Sequence, residues 1–173
     1  SIVIPYSVTT IGPEAFFDCS NLTSVIIPNS IVLIPPETFY GCSGLTSINI
    51  PDRIRSISMD AFDNCSGLTD VTIGSGLRRL KSDAFDGCVS LTNIVVSNNN
   101  KHIVSVDNVV FSEDKTELML YPQGKKDEQY VIPDSVTKIG QKAFAGCPNL
   151  KSVKMCDNVI ELGDGAFGQC INL

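Results

Sequence analysis

Phenylalanine and cysteine recur together on a fixed beat: Phe16 and Cys19, Phe39 and Cys42, Phe62 and Cys65, Phe85 and Cys88, Phe144 and Cys147, Phe167 and Cys170. The intervals are 23 residues, apart from one of 59. Other residues keep time with them. A small residue precedes each Phe (Ala15, Thr38, Ala61, Ala84, Ala143, Ala166), and a Leu follows each Cys by three (Leu22, Leu45, Leu68, Leu91, Leu150, Leu173). Beyond every Leu but Leu173, apolar residues alternate, as in Val25-Ile26-Ile27, Ile48-Asn49-Ile50 and Val71-Thr72-Ile73. A fixed period of this length means stacked units, none of which can bury its apolar face alone.

Within one unit, Ile48-x-Ile50 predicts a short strand with two side chains inward, ended by Pro51, which cannot donate to a continuing ladder. Ile54 and Ile57 mark a second extended stretch. Ser58 to Phe62 is expected to form a single helical turn before Asn64-Cys65-Ser66-Gly67 returns the chain to Leu68. The expected fold class is therefore a solenoid of 23-residue coils, an α/β repeat but mostly β, with one parallel sheet, filling residues 1–173 as one unit. The period by itself fits more than one β-solenoid of this coil length; the recurring F-x-x-C resembles a leucine-rich repeat more than the alternatives. Neither end carries a polar cap, so the segment is expected to be a slice of a longer array.

The long interval holds one expanded coil, about residues 97–130. Val109-Val110-Phe111 and Leu118-Met119-Leu120-Tyr121 read as two strands around the turn Ser112-Glu113-Asp114-Lys115. The hairpin either absorbs a length change or projects to shape a surface.

Composition sets exclusions. Apolar residues make up 43 % of the chain, as in a folded protein, and the net charge is −6 with a pI near 4.6. That balance argues against a nucleic-acid partner. No run approaches the roughly 18–20 apolar residues of a membrane span, so direct membrane insertion is not expected. The single histidine, His102, has no nucleophile or second histidine to work with. No C-x-x-C pair suggests zinc. No cofactor, metal or enzymatic activity is expected. The six in-register cysteines are expected to form an inward ladder of structural thiols, with Cys156 outside it.

The motif L-x-x-I-x-I-P…A-F-x-x-C resembles the leucine-rich repeats of the BspA-like, or Treponema pallidum-type, family. Leu22-Thr23-Ser24-Val25-Ile26-Ile27-Pro28 and Leu45-Thr46-Ser47-Ile48-Asn49-Ile50-Pro51 carry it, as do Leu68 to Ile73 and Ile132-Pro133 through Ala143-Phe144-Ala145-Gly146-Cys147. Departures fall at Gly74 and Ser97, where the proline after the strand is missing, at Cys156, which replaces it, and at Thr38, which replaces alanine. The resemblance implies a cell-surface or secreted protein of a host-associated microbe that adheres to host matrix proteins or other cells.

By the same analogy the sheet is the partner-binding side. Its outward column is expected to hold Val3, Ile26, Asn49, Thr72, Val95, Val131 and Lys154, flanked by Ser24, Ser47, Asp70, Asn93 and Ser152. The expected partners are host proteins or neighbouring domains of the same chain; a spacer without a ligand of its own is the alternative. A secondary basic patch gathers Arg53, Arg55, Arg78, Arg79 and Lys81. Asp52, Asp60 and Asp83 are expected to neutralise it, unless an acidic partner does.

Overall fold

The computed structural model describes residues 1–173. Fifteen short strands joined by turns wind into about seven coils, with no helix. The fold is the expected leucine-rich-repeat solenoid, but it has two parallel ladders rather than one sheet. The first comprises β1 (Ile2–Val3) with β2 (Val25–Ile26), then β4 (Ser47–Ile50), β6 (Asp70–Ile73) and β8 (Asn93–Val96), then β12 (Gln129–Val131) with β14 (Ser152–Lys154). The second stacks β3 (Leu33–Ile34), β5 (Ser56–Ile57) and β7 (Arg79–Leu80), and later β11 (Glu117–Leu120), β13 (Lys138–Ile139) and β15 (Glu161–Leu162). Registers are whole periods, such as Ile48↔Val71↔Ile94 and Ile34↔Ile57↔Leu80. The second extended stretch stacks because its inward residues recur on the same beat as those of the first.

The expected helical turn is absent, so the coil is all-β. Bonds between residues three apart close it: Asp63 N donates to Asp60 O, Cys65 N to Phe62 O and Leu68 N to Cys65 O. Asp60 (φ 54°) and Asn64 (φ 57°) are both left-handed, as are Glu14 and Asp18, Glu37 and Gly41, and Lys142 and Gly146. Two left-handed residues four apart cannot belong to one right-handed turn of helix. The turns also bond coil to coil, with Phe39 N on Ala61 O and Phe62 N on Ala84 O, each at 2.8 Å. Thr38, on the buried side of its turn, donates its hydroxyl to Pro35 O at 2.8 Å, which is why a threonine is tolerated where alanine recurs.

Inside the turn, Phe16, Phe39, Phe62 and Phe85 stack at 5.1–5.2 Å between ring centres. Four cysteine thiols reach back to the carbonyl of the Phe one coil earlier, Cys42 to Phe16 (3.2 Å), Cys65 to Phe39 (3.1 Å), Cys88 to Phe62 (3.1 Å) and Cys170 to Phe144 (2.9 Å), and Cys147 to that of Tyr121 (3.9 Å). All seven cysteines are free. Cys42, Cys65, Cys88 and Cys147 are buried, but Cys19, in the first coil, is exposed, and Cys170 is partly so. Cys156 is half-buried, its thiol on Pro133 O and Val136 O.

The expanded coil contains the expected hairpin, β10 (Val109–Ser112) against β11, and a third antiparallel strand, β9 (Ile103–Val106). The turn between β9 and β10 uses two left-handed residues, Asp107 and Asn108. β11 then joins the second ladder through Leu118↔Ile139, and Tyr121 takes the place of the recurring Phe, stacking on Phe144 at 5.0 Å. The insertion partitions the core. Val110 and Leu120 pack with the preceding coils, while Val109, Phe111 and Leu118 pack with the following ones.

Asn100 directs the chain into this insertion. It falls on the beat of Ile31, Ile54 and Leu77, all buried, and is itself 6 % exposed. Its Nδ2 donates to Gly74 O and Leu77 O (both 3.1 Å), and its Oδ1 accepts from His102 N (2.9 Å) and Ile103 N (3.1 Å). Four backbone groups that would face an aliphatic side chain are thereby satisfied. Asn100→Leu restores the residue type of the other coils, yet is expected to lower stability by at least about 2 kcal/mol in urea unfolding, because backbone groups lose their partners. An unchanged or raised midpoint contradicts this.

Candidate functional site

Alternation along the central first-ladder strands β4, β6 and β8 turns one residue out between two buried ones, as with Asn49 between Ile48 and Ile50, and the outer strands keep the same outward position. Parallel pairing at whole-period register then stacks those outward residues. Val3 lies beside Ile26, Asn49 beside Thr72 and Val95, and Val131 beside Lys154. All seven are exposed, Ile26 at 59 % and Val131 at 63 %. The column is therefore assembled as expected, but the insertion and a break in pairing after β2 divide it into three runs. A groove of 460 Å³ borders its middle, where Asn49, Thr72 and Ser97 meet Pro28, Pro51 and Gly74.

In the flanking column Ser24, Ser47, Asp70 and Ser152 are exposed and Asn93 is half-buried. Asp70 accepts from the Thr69 hydroxyl (2.6 Å) and from Asn93 Nδ2 one coil on (2.9 Å). Those two bonds hold its carboxyl below the usual carboxylate range.

The basic patch is exposed and larger than its sequence reading. Arg78 N and Arg79 N both donate to Arg55 O, at 3.0 and 3.2 Å, so these residues lie one coil apart. Lys101 follows one period after Arg78, and with His102 it closes a concavity of 290 Å³ shared with Arg55, Arg78, Ser75 and Asn99. The 55–78–101 beat was a signal for Lys101, which sequence reading missed. The expected neutralisation takes no ion-paired form, although the Ser75 hydrogen bonds, and after them the Arg55 charge, hold the Asp52 carboxyl below the usual carboxylate range. None of Arg53, Arg55, Arg78, Arg79 and Lys81 forms an ion pair. Arg55 donates to the carbonyl of Asp52 (2.8 Å), whose carboxylate instead takes Ser75 N (2.7 Å) and Ser75 Oγ (2.9 Å).

Asp60 and Asp83 belong to a different edge. Glu14, Glu37, Asp60 and Asp83 recur one period apart on the turn, with Asp63 and Asp86 beside them. Lys142 reaches across the expanded coil to Asp86 at 2.8 Å, tying the two parts of the solenoid together. Desolvation, then the Asp60 and Asp86 charges, push the Asp63 carboxyl up to about 6, and desolvation and Asp83 raise Asp60. Phe17 and Tyr40 precede Asp63 on the same beat and stack at 4.8 Å, with Asn64 Nδ2 donating to the Tyr40 hydroxyl at 3.0 Å. No group of three or more His, Cys, Asp or Glu side chains is placed to hold a metal ion.

A family profile described as a BspA type leucine rich repeat region matches residues 1–116 and 123–173, in 6 copies. No curated protein matches the chain. Among solved structures, the pneumococcal vaccine antigen PcpA superposes with a TM-score of 0.78 at 25 % identity, over 99 % of this chain and 48 % of that one. A leucine rich cell surface protein from Faecalibacterium prausnitzii gives 0.66 at 27 % identity, over 94 % and 49 %. The leucine rich repeat protein of T. pallidum shares the fold at 0.53 and 23 % identity, over 87 % and 78 %. The chain thus spans about half the length of the first two. No helix is long and apolar enough to cross a membrane.

The acidic turn edge yields a pH prediction. The Asp63 carboxyl is raised from 3.8 to about 6 on folding, so its protonated form favours the folded chain, and that contribution is lost as pH rises between those values. Asp63→Asn is expected to raise the Tm at pH 7 by about 2–4 °C, discounted for a group still partly in solvent. The gain should shrink to nothing below about pH 4. A gain that persists at low pH, or a loss at pH 7, contradicts this.

Proposed function

The chain belongs to the BspA-type leucine-rich-repeat family, and from that premise we propose that it is a non-enzymatic protein-binding and adhesion module of a cell-surface or secreted protein. Its partners are host matrix or cell-surface proteins, met through the outward column of the first ladder. One observation carries this reading: Asn49, Thr72 and Val95 lie in register, exposed, on a paired ladder beside a 460 Å³ groove. A rigid sheet pre-organises such a surface, so little ordering entropy is lost on contact. The column mixes small polar with aliphatic residues and presents no aromatic anchor, which suits weak contacts multiplied along an array. Ile26, Val131 and Lys154, with Ser24, Ser47, Asp70, Asn93 and Ser152 at their flank, extend it. Two structural relatives at 25–27 % identity are described as a vaccine antigen and a cell surface protein, which supports the placement outside the cell.

The test is binding of the folded chain to immobilised matrix proteins and to epithelial cells. Saturable binding is expected, and Thr72→Arg should weaken it about tenfold without altering the Tm, because residue 72 faces solvent. If the well-folded chain binds neither matrix nor cells, the chain is a spacer presenting another domain.

A further inference from the structure

Elsewhere on this solenoid, pairing of adjacent coils brings opposite charges together. Lys138 sits between Glu117 (3.5 Å) and Glu161 (3.2 Å) in the second ladder, and Lys151 reaches Glu128 one coil back at 2.8 Å. The edge before β5 and β7 does the reverse. Arg55, Arg78 and Lys101 repeat at one position of three successive coils, all exposed and none in an ion pair, with Arg53, Arg79 and Lys81 next to them in sequence. Three cations, Arg55, Arg78 and Lys101, thus line one concavity without an ion pair on a protein whose net charge is −6. Like charges stacked roughly 4.8 Å apart repel one another unless an anion lies between them.

We infer that this edge binds an anionic polysaccharide, lying along the solenoid axis with its sulfates or carboxylates on Arg55, Arg78 and Lys101. This site is separate from the sheet column. The concavity of 290 Å³ that these cations share contains Asp52, Ser75, Asn99 and His102 and no hydrophobic side chain. It offers no pocket for the apolar anchors of a peptide, and no Phe, Tyr or Trp ring on which a nucleic-acid base would stack. Asp52 adds a hydrogen-bond acceptor among the cations, which the hydroxyls of a sugar can meet and a ligand bearing only anionic groups cannot. Part of the site is fixed in advance. The Arg55 guanidinium is held on Asp52 O, packed over Gly76, where a Cβ would collide with both. A planar, pre-positioned guanidinium suits a sulfate or carboxylate.

The experiment measures binding of heparin to the whole chain over a range of salt concentrations, with poly-glutamate and a single-stranded oligonucleotide as competitors. Saturable binding is expected. The combined Arg55→Ala, Arg78→Ala and Lys101→Ala variant should bind at least about tenfold more weakly, with a salt slope shallower by about 2–3. Lys126→Ala, at an exposed cation away from the edge, should bind as the parent does. Because Arg55 also supports a backbone carbonyl, Arg78→Glu alone provides a second arm and should weaken binding while leaving the Tm unchanged. Absence of heparin binding overturns the inference, and so does heparin binding that survives in both variants. Competition by poly-glutamate or the oligonucleotide as strong as by heparin also overturns it, since the site would then read charge alone. Loss of matrix-protein binding by Thr72→Arg leaves this result untouched, so the two sites fail separately.

Discussion

Stacking in register at 23 residues is the constraint from which the rest of this molecule follows. A single coil has no interior: its inward Ile, Val, Leu and Phe side chains are covered only by the equivalents one coil away. Register is enforced on three sides of the coil at once, by the first ladder, the second ladder and the hydrogen-bonded turns. The recurring thiol adds a fourth tie, from Cys42, Cys65, Cys88 and Cys170 to the Phe carbonyl of the coil before. A slip of one residue in any coil would turn its inward side chains to solvent and break all four.

Register also decides what the outside looks like. Any outward residue type that repeats becomes a column, so small sequence biases grow into continuous surfaces. In the C-terminal coils the columns alternate in sign and neutralise themselves, as at Glu117, Lys138 and Glu161. In the first four coils they do not. Carboxylates gather along the turn, cations at Arg55, Arg78 and Lys101 along the edge before the second ladder, from the third coil into the expanded one, and uncharged or aliphatic residues on the first ladder. Three chemically distinct stripes therefore run side by side on one short solenoid, each able to present repeated contacts of modest individual strength.

The period, the inward set and the outward column were legible because each rests on spacing alone, and spacing survives substitution of individual residues. The hairpin was legible from the alternation around its turn. The second ladder was not, because two-residue strands such as Ser56–Ile57 carry too little alternation to announce a sheet. The turn was misread as helical: Ala-Phe looks helical locally, whereas the left-handed Asp60 and Asn64 on either side forbid it. Asn100 and Tyr121 were hidden by the insertion, which interrupts counting from either end. Counting back from Phe144 reaches Tyr121, and counting forward from Leu77 reaches a buried asparagine that no aliphatic pattern predicts. That Arg55 bonds the carbonyl of Asp52 while the carboxylate takes Ser75 depends on which hydrogen bond each side chain makes, a choice that composition does not reveal.

Native-state thiol labelling, read cysteine by cysteine by mass spectrometry, tests the register most directly, since six of the seven thiols occupy one position of successive coils. Burial pushes the Cys42 thiol up to about 11 and the Cys65 thiol up to about 12, and raises Cys88 and Cys147 in the same direction. Cys19 should therefore label at once, while Cys42, Cys65, Cys88 and Cys147 react only at the rate of unfolding. Labelling of Cys65 or Cys88 as fast as Cys19 in the folded protein would contradict the stacked arrangement on which every exposed column depends.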